Sequence, residues 1–157
     1  MTTKTRIALL LILSLILPLC LSTSSLAVTP PNVIGNWSGT APKVDFSASC
    51  FNAYDIVTLT ITKQCTNLVS GTIMVGNSGT LIPVVGRLYS GSTYSLSLSG
   101  ECATAGVNFT SYEDVGLNGT YVPGTTPSIS VNSFYHYNSA DINTQNQEYD
   151  TFSLIHQ

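Results

Sequence analysis

Few side chains in this chain of 157 residues have the chemistry for acid–base catalysis or metal binding. Its two histidines, His136 and His156, do not follow a metal-site spacing, and no Cys-x-x-Cys pair occurs. We interpret His136 as a structural residue on a strand face. Glu113 and Asp114 are adjacent and fall in a turn that we predict for residues 113–116, so they are not the facing carboxylates of a glycosidase. We therefore predict that the protein is not an enzyme and has no metal site and no cofactor.

The start of the chain has the pattern of a secretory signal peptide. Lys4 and Arg6 precede the apolar run 7–21, and Ser25-Leu26-Ala27 places small residues where signal peptidase cleaves. The run is shorter than the roughly 18 apolar residues that span a bilayer, which makes a membrane anchor the weaker alternative. A lipoprotein signal is a further weak alternative. We predict a signal peptide at residues 1–27 and an exported protein, which is extracellular, periplasmic or at the cell surface.

Charge is sparse after the predicted cleavage site. Lys43, Lys63 and Arg87 are the basic side chains that remain there, against 8 aspartates and glutamates in the whole chain. The chain lacks the basic stripe that follows a phosphate backbone, so we exclude nucleic acid as a partner. No later segment of the sequence is long and apolar enough for a membrane span, so we predict none in the mature chain.

Apolar and hydroxyl side chains alternate along most of the remaining sequence. Residues 57–62 alternate apolar residues with threonine, and residues 94–99 alternate apolar or aromatic residues with serine. This period of two is typical of strands with one apolar face. After an extended lead-in at residues 28–32, we predict one all-β domain at 33–157, an antiparallel up-and-down meander of about 8–9 strands. Closure into a small barrel would hide both edges of the meander.

A short repeat with glycine at its centre recurs near predicted strand starts. It reads Ser38-Gly39-Thr40, Ser70-Gly71-Thr72 and Asn118-Gly119-Thr120. Glycine inside a strand often marks a sharp bend in a narrow barrel, so we interpret these residues as bend positions. Chance recurrence of common residue types is the alternative.

The first predicted strand opens with Gly35-Asn36-Trp37, which contains the one tryptophan of the chain. A Gly-x-Trp motif at this place resembles the signature of the lipocalin, fatty-acid-binding and avidin barrels. The resemblance implies that Gly35 and Trp37 close one end of a barrel. This sequence lacks the mid-chain Thr-Asp-Tyr motif of lipocalins and their arginine near the last strand, so no ligand-binding residue carries over.

Three functions are compatible with such a barrel. The leading hypothesis is a secreted or periplasmic protein that binds a small, fairly apolar ligand in the barrel mouth. One alternative is a structural or adhesive module of the envelope without a small ligand. Another is a small outer-membrane barrel, because alternation alone does not tell the inner face from the outer. The N-glycosylation motifs at Asn36, Asn108 and Asn118 are as frequent as chance predicts in a chain rich in Ser and Thr.

The cysteines carry the sharpest prediction of the sequence. Cys20 leaves with the signal peptide, so Cys50, Cys65 and Cys102 remain. A predicted strand separates Cys50 from Cys65 by roughly 30 Å or more, whereas a disulfide needs Cα atoms within about 7 Å. The meander returns Cys102 to the end of the barrel that holds Cys50. We predict a Cys50–Cys102 disulfide, with Cys65 free or paired with another chain.

Peptide mapping of the exported protein without reduction tests this pairing. We expect one peptide pair that joins Cys50 to Cys102, and a Cys65 peptide that is free or linked to a second chain. The bridge closes a loop of about fifty residues, so its reduction should lower the free energy of unfolding by roughly 4 kcal/mol. A disulfide from Cys65 to either partner within one chain would contradict the predicted strand order.

Overall fold

All the regular structure in the described part of the chain is β-strand. The computed structural model describes residues 29–44, 54–77, 79–105, 110–138 and 147–157, so the predicted signal peptide at 1–27 lies outside it. No helix within these ranges has the length and apolarity needed to cross a membrane. The nine strands of these ranges are β1 (Gly35–Val44), β2 (Tyr54–Cys65), β3 (Leu68–Val75), β4 (Ile82–Ser90), β5 (Tyr94–Ala105), β6 (Thr110–Val122), β7 (Ser128–Asn138), β8 (Gln147–Tyr149) and β9 (Phe152–His156).

Hydrogen bonding joins the first strand to the last and closes the sheet into a barrel. Each strand from β2 to β7 pairs antiparallel with its neighbour in the chain. On its other side β1 pairs with both β8 and β9, and these two short strands also pair with β7. They therefore share one of the 8 strand positions of the barrel. The predicted all-β, antiparallel meander and its closure are confirmed.

The alternation in the sequence decides which side chains lie inside. In β2, Val57, Leu59 and Ile61 are at most 1 % exposed, whereas Thr58 and Thr60 are partly exposed. The other described strands follow the same pattern, except where bulges shift the register after Ile61 in β2 and beside Gly119 in the pairing of β6 with β7. Apolar side chains therefore fill the middle of the barrel. Full burial of such a side chain stabilises a fold by about 1.5–3 kcal/mol. An outer-membrane barrel needs its apolar band on the outside, which is the reverse of this arrangement.

Two strand assignments made from the sequence are wrong. The turn predicted at residues 113–116 does not form, because β6 is continuous there. Gly116 signals a turn in the sequence, yet it is buried, and the ring of Tyr135 on β7 fills the space that a Cβ atom would need. The sequence also predicts one last strand over residues 149–156, but Asp150 and Thr151 interrupt it, so it forms as the two short strands β8 and β9.

The glycines of the short repeat lie where paired strands approach closely. A Cβ atom added at Gly39, Gly71 or Gly119 would lie less than 3.0 Å from a carbonyl oxygen of the neighbouring strand. Real Cβ atoms do not approach that closely, so a side chain here would force the two strands apart. These glycines therefore permit close approach of paired strands. Their interpretation as bend positions stays a prediction, and Gly119 lies near the end of β6 and not near a strand start.

Trp37 is buried near the end of the barrel where β1 begins, which we call the Trp37 end; its role in closing the barrel stays a prediction. Its side chain is 1 % exposed, and its Nε1–H donates a hydrogen bond of 3.0 Å to the carbonyl of Val33. Its ring packs edge-on against His156 of the last strand, with centroids 4.7 Å apart, and against Tyr121 at 6.1 Å. Gly35 has φ of 141°, and the His156 imidazole fills the place of its missing Cβ.

The lead-in segment is fastened across the same end. The side-chain oxygen of Gln64 accepts a hydrogen bond of 2.9 Å from the Val33 amide, and its Nε2 donates one of 2.9 Å to the carbonyl of Pro31. One glutamine near the end of β2 therefore binds the segment that precedes β1. This segment and Trp37 together cover the Trp37 end.

We expect Trp37→Ala to cost about 3–5 kcal/mol, because truncation of a large buried aromatic side chain leaves a cavity. That is a large share of the roughly 5–15 kcal/mol by which a domain is stable. Denaturant unfolding followed by circular dichroism measures the loss, since the variant has no tryptophan fluorescence. Tyr89→Ala is the control, because Tyr89 is 52 % exposed and its removal should change stability by less than about 1 kcal/mol. Equal stability of the Trp37→Ala and wild-type proteins would contradict the closing role.

Candidate functional site

The barrel end opposite Trp37 carries inward-facing polar side chains. We call it the Glu113 end, and it is where β1 ends and β6 begins. In β1, β2, β6 and β7 the inward series of apolar residues continues there into an ionisable one, and the short strand β8 adds Tyr149. The resulting set of five, which we call the mouth cluster, comprises Lys43, Asp55, Glu113, His136 and Tyr149. Strand register explains their common direction, because residues two apart lie on the same face of a strand.

The strand pairings bring members of the cluster together. Tyr149 lies directly opposite Phe134 on β7 and opposite Lys43 on β1, so all three point to the same side of the sheet. Val115 lies opposite His136, which places Glu113, two residues earlier in β6, diagonally across from the imidazole. Diagonal neighbours across antiparallel strands are within reach of long side chains.

A hydrogen bond links Tyr149 to Asp55 across the barrel mouth. The Tyr149 hydroxyl donates to Asp55 Oδ2 over 2.8 Å, although the two residues are 94 positions apart in the chain. Burial raises the pKa of Tyr149 above its ordinary value of 10, and both the hydrogen bond and the negative charge of Asp55 add to the rise. The phenol therefore stays protonated, and it remains a hydrogen-bond donor.

His136 is a buried imidazole beside a carboxylate. Its Nε2 lies 3.6 Å from Glu113 Oε2, which is too long for a hydrogen bond. Burial lowers the pKa of His136 below 6.5 and outweighs the opposing effect of Glu113, while Lys43 lowers it further. The imidazole is therefore neutral near pH 7, and the contact with Glu113 is not an ion pair there. Nε2 is buried and has no hydrogen-bond partner among the described residues.

Cys102 adjoins the mouth cluster. It lies directly opposite Glu113 in the pairing of β5 with β6, and its half-buried side chain packs against the core. Cys65 is exposed at the Trp37 end, so the structure places the two cysteines at opposite ends of the barrel. Neither is joined in a disulfide within the described residues. Cys50 lies outside them, so the Cys50–Cys102 bridge stays a prediction.

Two open surface grooves lie away from the cluster. One, of about 620 Å³, is at the Trp37 end, where Ile34, Gln64 and Leu88 contribute to its walls. The other, of about 460 Å³, lies on the outer face of β2, β3 and β4. In the described residues no three His, Cys, Asp or Glu side chains are grouped closely enough to hold a metal ion.

The site residues named from the sequence and those of the mouth cluster hardly overlap. Gly35 and Trp37 lie at the Trp37 end, Cys102 lies beside the cluster, and Cys50 lies outside the described residues. Glu113 was missed because the predicted turn removed it from strand register. Residues two apart in a strand lie on the same face, so Glu113 lies on the same inward face as the buried Val115. This two-residue spacing is the feature of the sequence that could have identified Glu113.

Comparison with known proteins places this chain in no family: no protein-family model, no curated protein and no solved structure matches it. The barrel is compatible with a lipocalin-like or avidin-like fold through its closed antiparallel meander and the position of Trp37.

We expect the contribution of His136 to stability to depend on pH. Because its folded-state pKa is lowered, the unfolded state binds the proton more tightly, and stability falls as pH drops below about 6.5. Urea unfolding of the wild type and of His136→Gln between pH 7.5 and 5.5 measures this, with most carboxylates still ionised. The wild type should lose more stability than the variant over that range. Parallel pH profiles of the two proteins would contradict a buried neutral His136.

Proposed function

We propose that this protein is an exported barrel that binds a small ligand through the mouth at the Glu113 end. One observation carries the proposal: Trp37 and the lead-in segment pack at one end of the barrel, whereas the other end carries inward-facing ionisable side chains. Buried polar groups stabilise a fold poorly, so their grouping at one mouth favours recognition of a ligand. Export rests on the signal-peptide pattern at residues 1–27.

The arrangement favours a ligand with an apolar body and a hydrogen-bonding head. Apolar residues such as Val57 and Val115 lie directly inside the cluster and would contact the body. The neutral imidazole of His136 offers Nε2, and Glu113 offers a carboxylate beside it, so an amine or hydroxyl head could bridge the two. We propose binding without catalysis, because the Tyr149 hydroxyl already donates its hydrogen bond to Asp55.

A second candidate, an envelope module without a small ligand, is favoured by the filled interior. Trp37, Leu59, Ile73, Leu117 and Leu154 are all at most 1 % exposed, so the middle of the barrel is occupied by its own side chains. Under this alternative the mouth cluster serves stability alone.

Fluorescence titration with 1-aminoanthracene, an apolar body with an amine head, tests the proposal on the exported protein at low micromolar concentration. Loss of a charged hydrogen-bond partner costs about 1.5–3 kcal/mol, so Glu113→Gln should weaken binding roughly tenfold or more. Glu101→Gln is the matched control, since Glu101 lies exposed on the neighbouring strand β5 and should leave affinity unchanged.

Two results would contradict the proposal. The first is the absence of saturable binding by the wild type, which favours the envelope module. The second is binding that survives Glu113→Gln but is lost in Ile34→Asp, which assigns the probe to the groove at the Trp37 end.

A further inference from the structure

The groove on the outer face of β2, β3 and β4 combines positive charge with an apolar floor. Lys63 on β2 and Arg87 on β4 line its two sides, and β3 lies between them. Leu68 is 48 % exposed and Val85 is 63 % exposed, so the floor offers apolar surface to a partner. We call these four residues the basic groove.

The outward-facing basic side chains that follow the predicted signal peptide both line this groove, although the protein as a whole is acidic. Of the basic residues beyond the predicted signal peptide, Lys43 belongs to the mouth cluster, and Lys63 and Arg87 both line the groove. Neither forms an ion pair with any residue that the structure describes. An occupant that complements the groove is therefore anionic and partly apolar.

A surface with that chemistry occurs on the other side of the same barrel. On the outer face of β5 to β8, Glu101 pairs directly with Asp114, and Tyr135 pairs with Glu148. Tyr112 is 44 % exposed and Tyr135 is 45 % exposed. We call these five residues the acidic face. Like charges directly opposite on paired strands destabilise a sheet, so a basic partner would relieve the repulsion between Glu101 and Asp114.

We propose that the basic groove binds the acidic face of a second copy of this chain. The groove is centred on β3 and the acidic face on β6 and β7, which lie on opposite sides of a barrel with 8 strand positions. A contact between two different faces on opposite sides is head-to-tail, and it adds copies in a line without closing a ring. Ion pairs of Lys63 and Arg87 with the partner's carboxylates set the register, and Leu68 and Val85 pack against its tyrosines.

Sedimentation velocity of the exported protein over a range of concentrations tests this assembly. The wild type should sediment faster as concentration rises, and about 0.5 M salt should suppress the effect by screening the charges. Arg87→Glu and Asp114→Lys should each raise the dissociation constant about tenfold or more. Thr125→Lys, in the exposed turn between β6 and β7, adds positive charge away from both faces and should assemble as the wild type does.

A mixture of two neutral variants tests the head-to-tail geometry itself, because neither altered face then carries a charge that attracts the other. Arg87→Ala keeps an intact acidic face, and Asp114→Ala keeps an intact groove, so an equimolar mixture should form dimers that grow no further. A wild type that stays monomeric at about 1 mM would overturn the proposal. So would an Asp114→Lys protein that assembles normally, because the groove would then contact another surface.

Discussion

The pairing of β1 on both of its sides is the constraint on which the rest of the structure depends. Through β2 on one side and through β8 and β9 on the other, the first strand turns a meander into a closed barrel. In a closed barrel each residue faces either the interior or the outside, with no edge position between them. The strict alternation of the chain then becomes a core of apolar side chains within a hydroxyl-rich surface.

Closure also demands close backbone approach, and glycine meets that demand at particular positions. At Gly39 and Gly71 the neighbouring strand lies where a side chain would be. Gly116 serves differently, because the Tyr135 ring lies over it on the outer face of the sheet. Glycine therefore has two roles in this barrel: it lets strands approach, and it makes room for an aromatic ring.

The two ends of the barrel carry different kinds of side chain, so the barrel is chemically asymmetric along its axis. At one end Trp37, His156 and the Gln64 hydrogen bonds bury apolar surface and fasten the lead-in segment. At the other the inward series ends in Asp55 and Glu113, whose contacts are to a phenol and an imidazole. These polar groups at the Glu113 end are the ones that we propose for ligand recognition.

The outside of the barrel is asymmetric in charge as well. Because all backbone groups of paired strands are used within the barrel, contacts with other molecules must come from side chains. Lys63 and Arg87 on one side and Glu101 and Asp114 on the other supply opposite charge for such contacts. The proposed ligand binding at the mouth and the proposed assembly through the outer faces use separate surfaces, so the two proposals are compatible.

The strands and the barrel were largely predictable from the sequence. Runs such as residues 57–62 have one apolar face whatever their neighbours are, because successive side chains of a strand point to opposite sides. Short connections then favour pairing in chain order, which is the order observed. The prediction was wrong where a local signal misled it, at Gly116 and at the break between β8 and β9.

The candidate site was beyond the sequence, since it depends on pairings between distant strands. Alternation leaves open which face is inside, and closure of the barrel decided that the apolar face is. Asp55 and Tyr149 are 94 positions apart, and nothing local in the chain indicates their hydrogen bond. The sequence by itself determined strands, their alternation and their order, which arise from interactions between near neighbours. Only the tertiary structure decided which ionisable side chains meet, because that follows from the register of strands around a closed barrel.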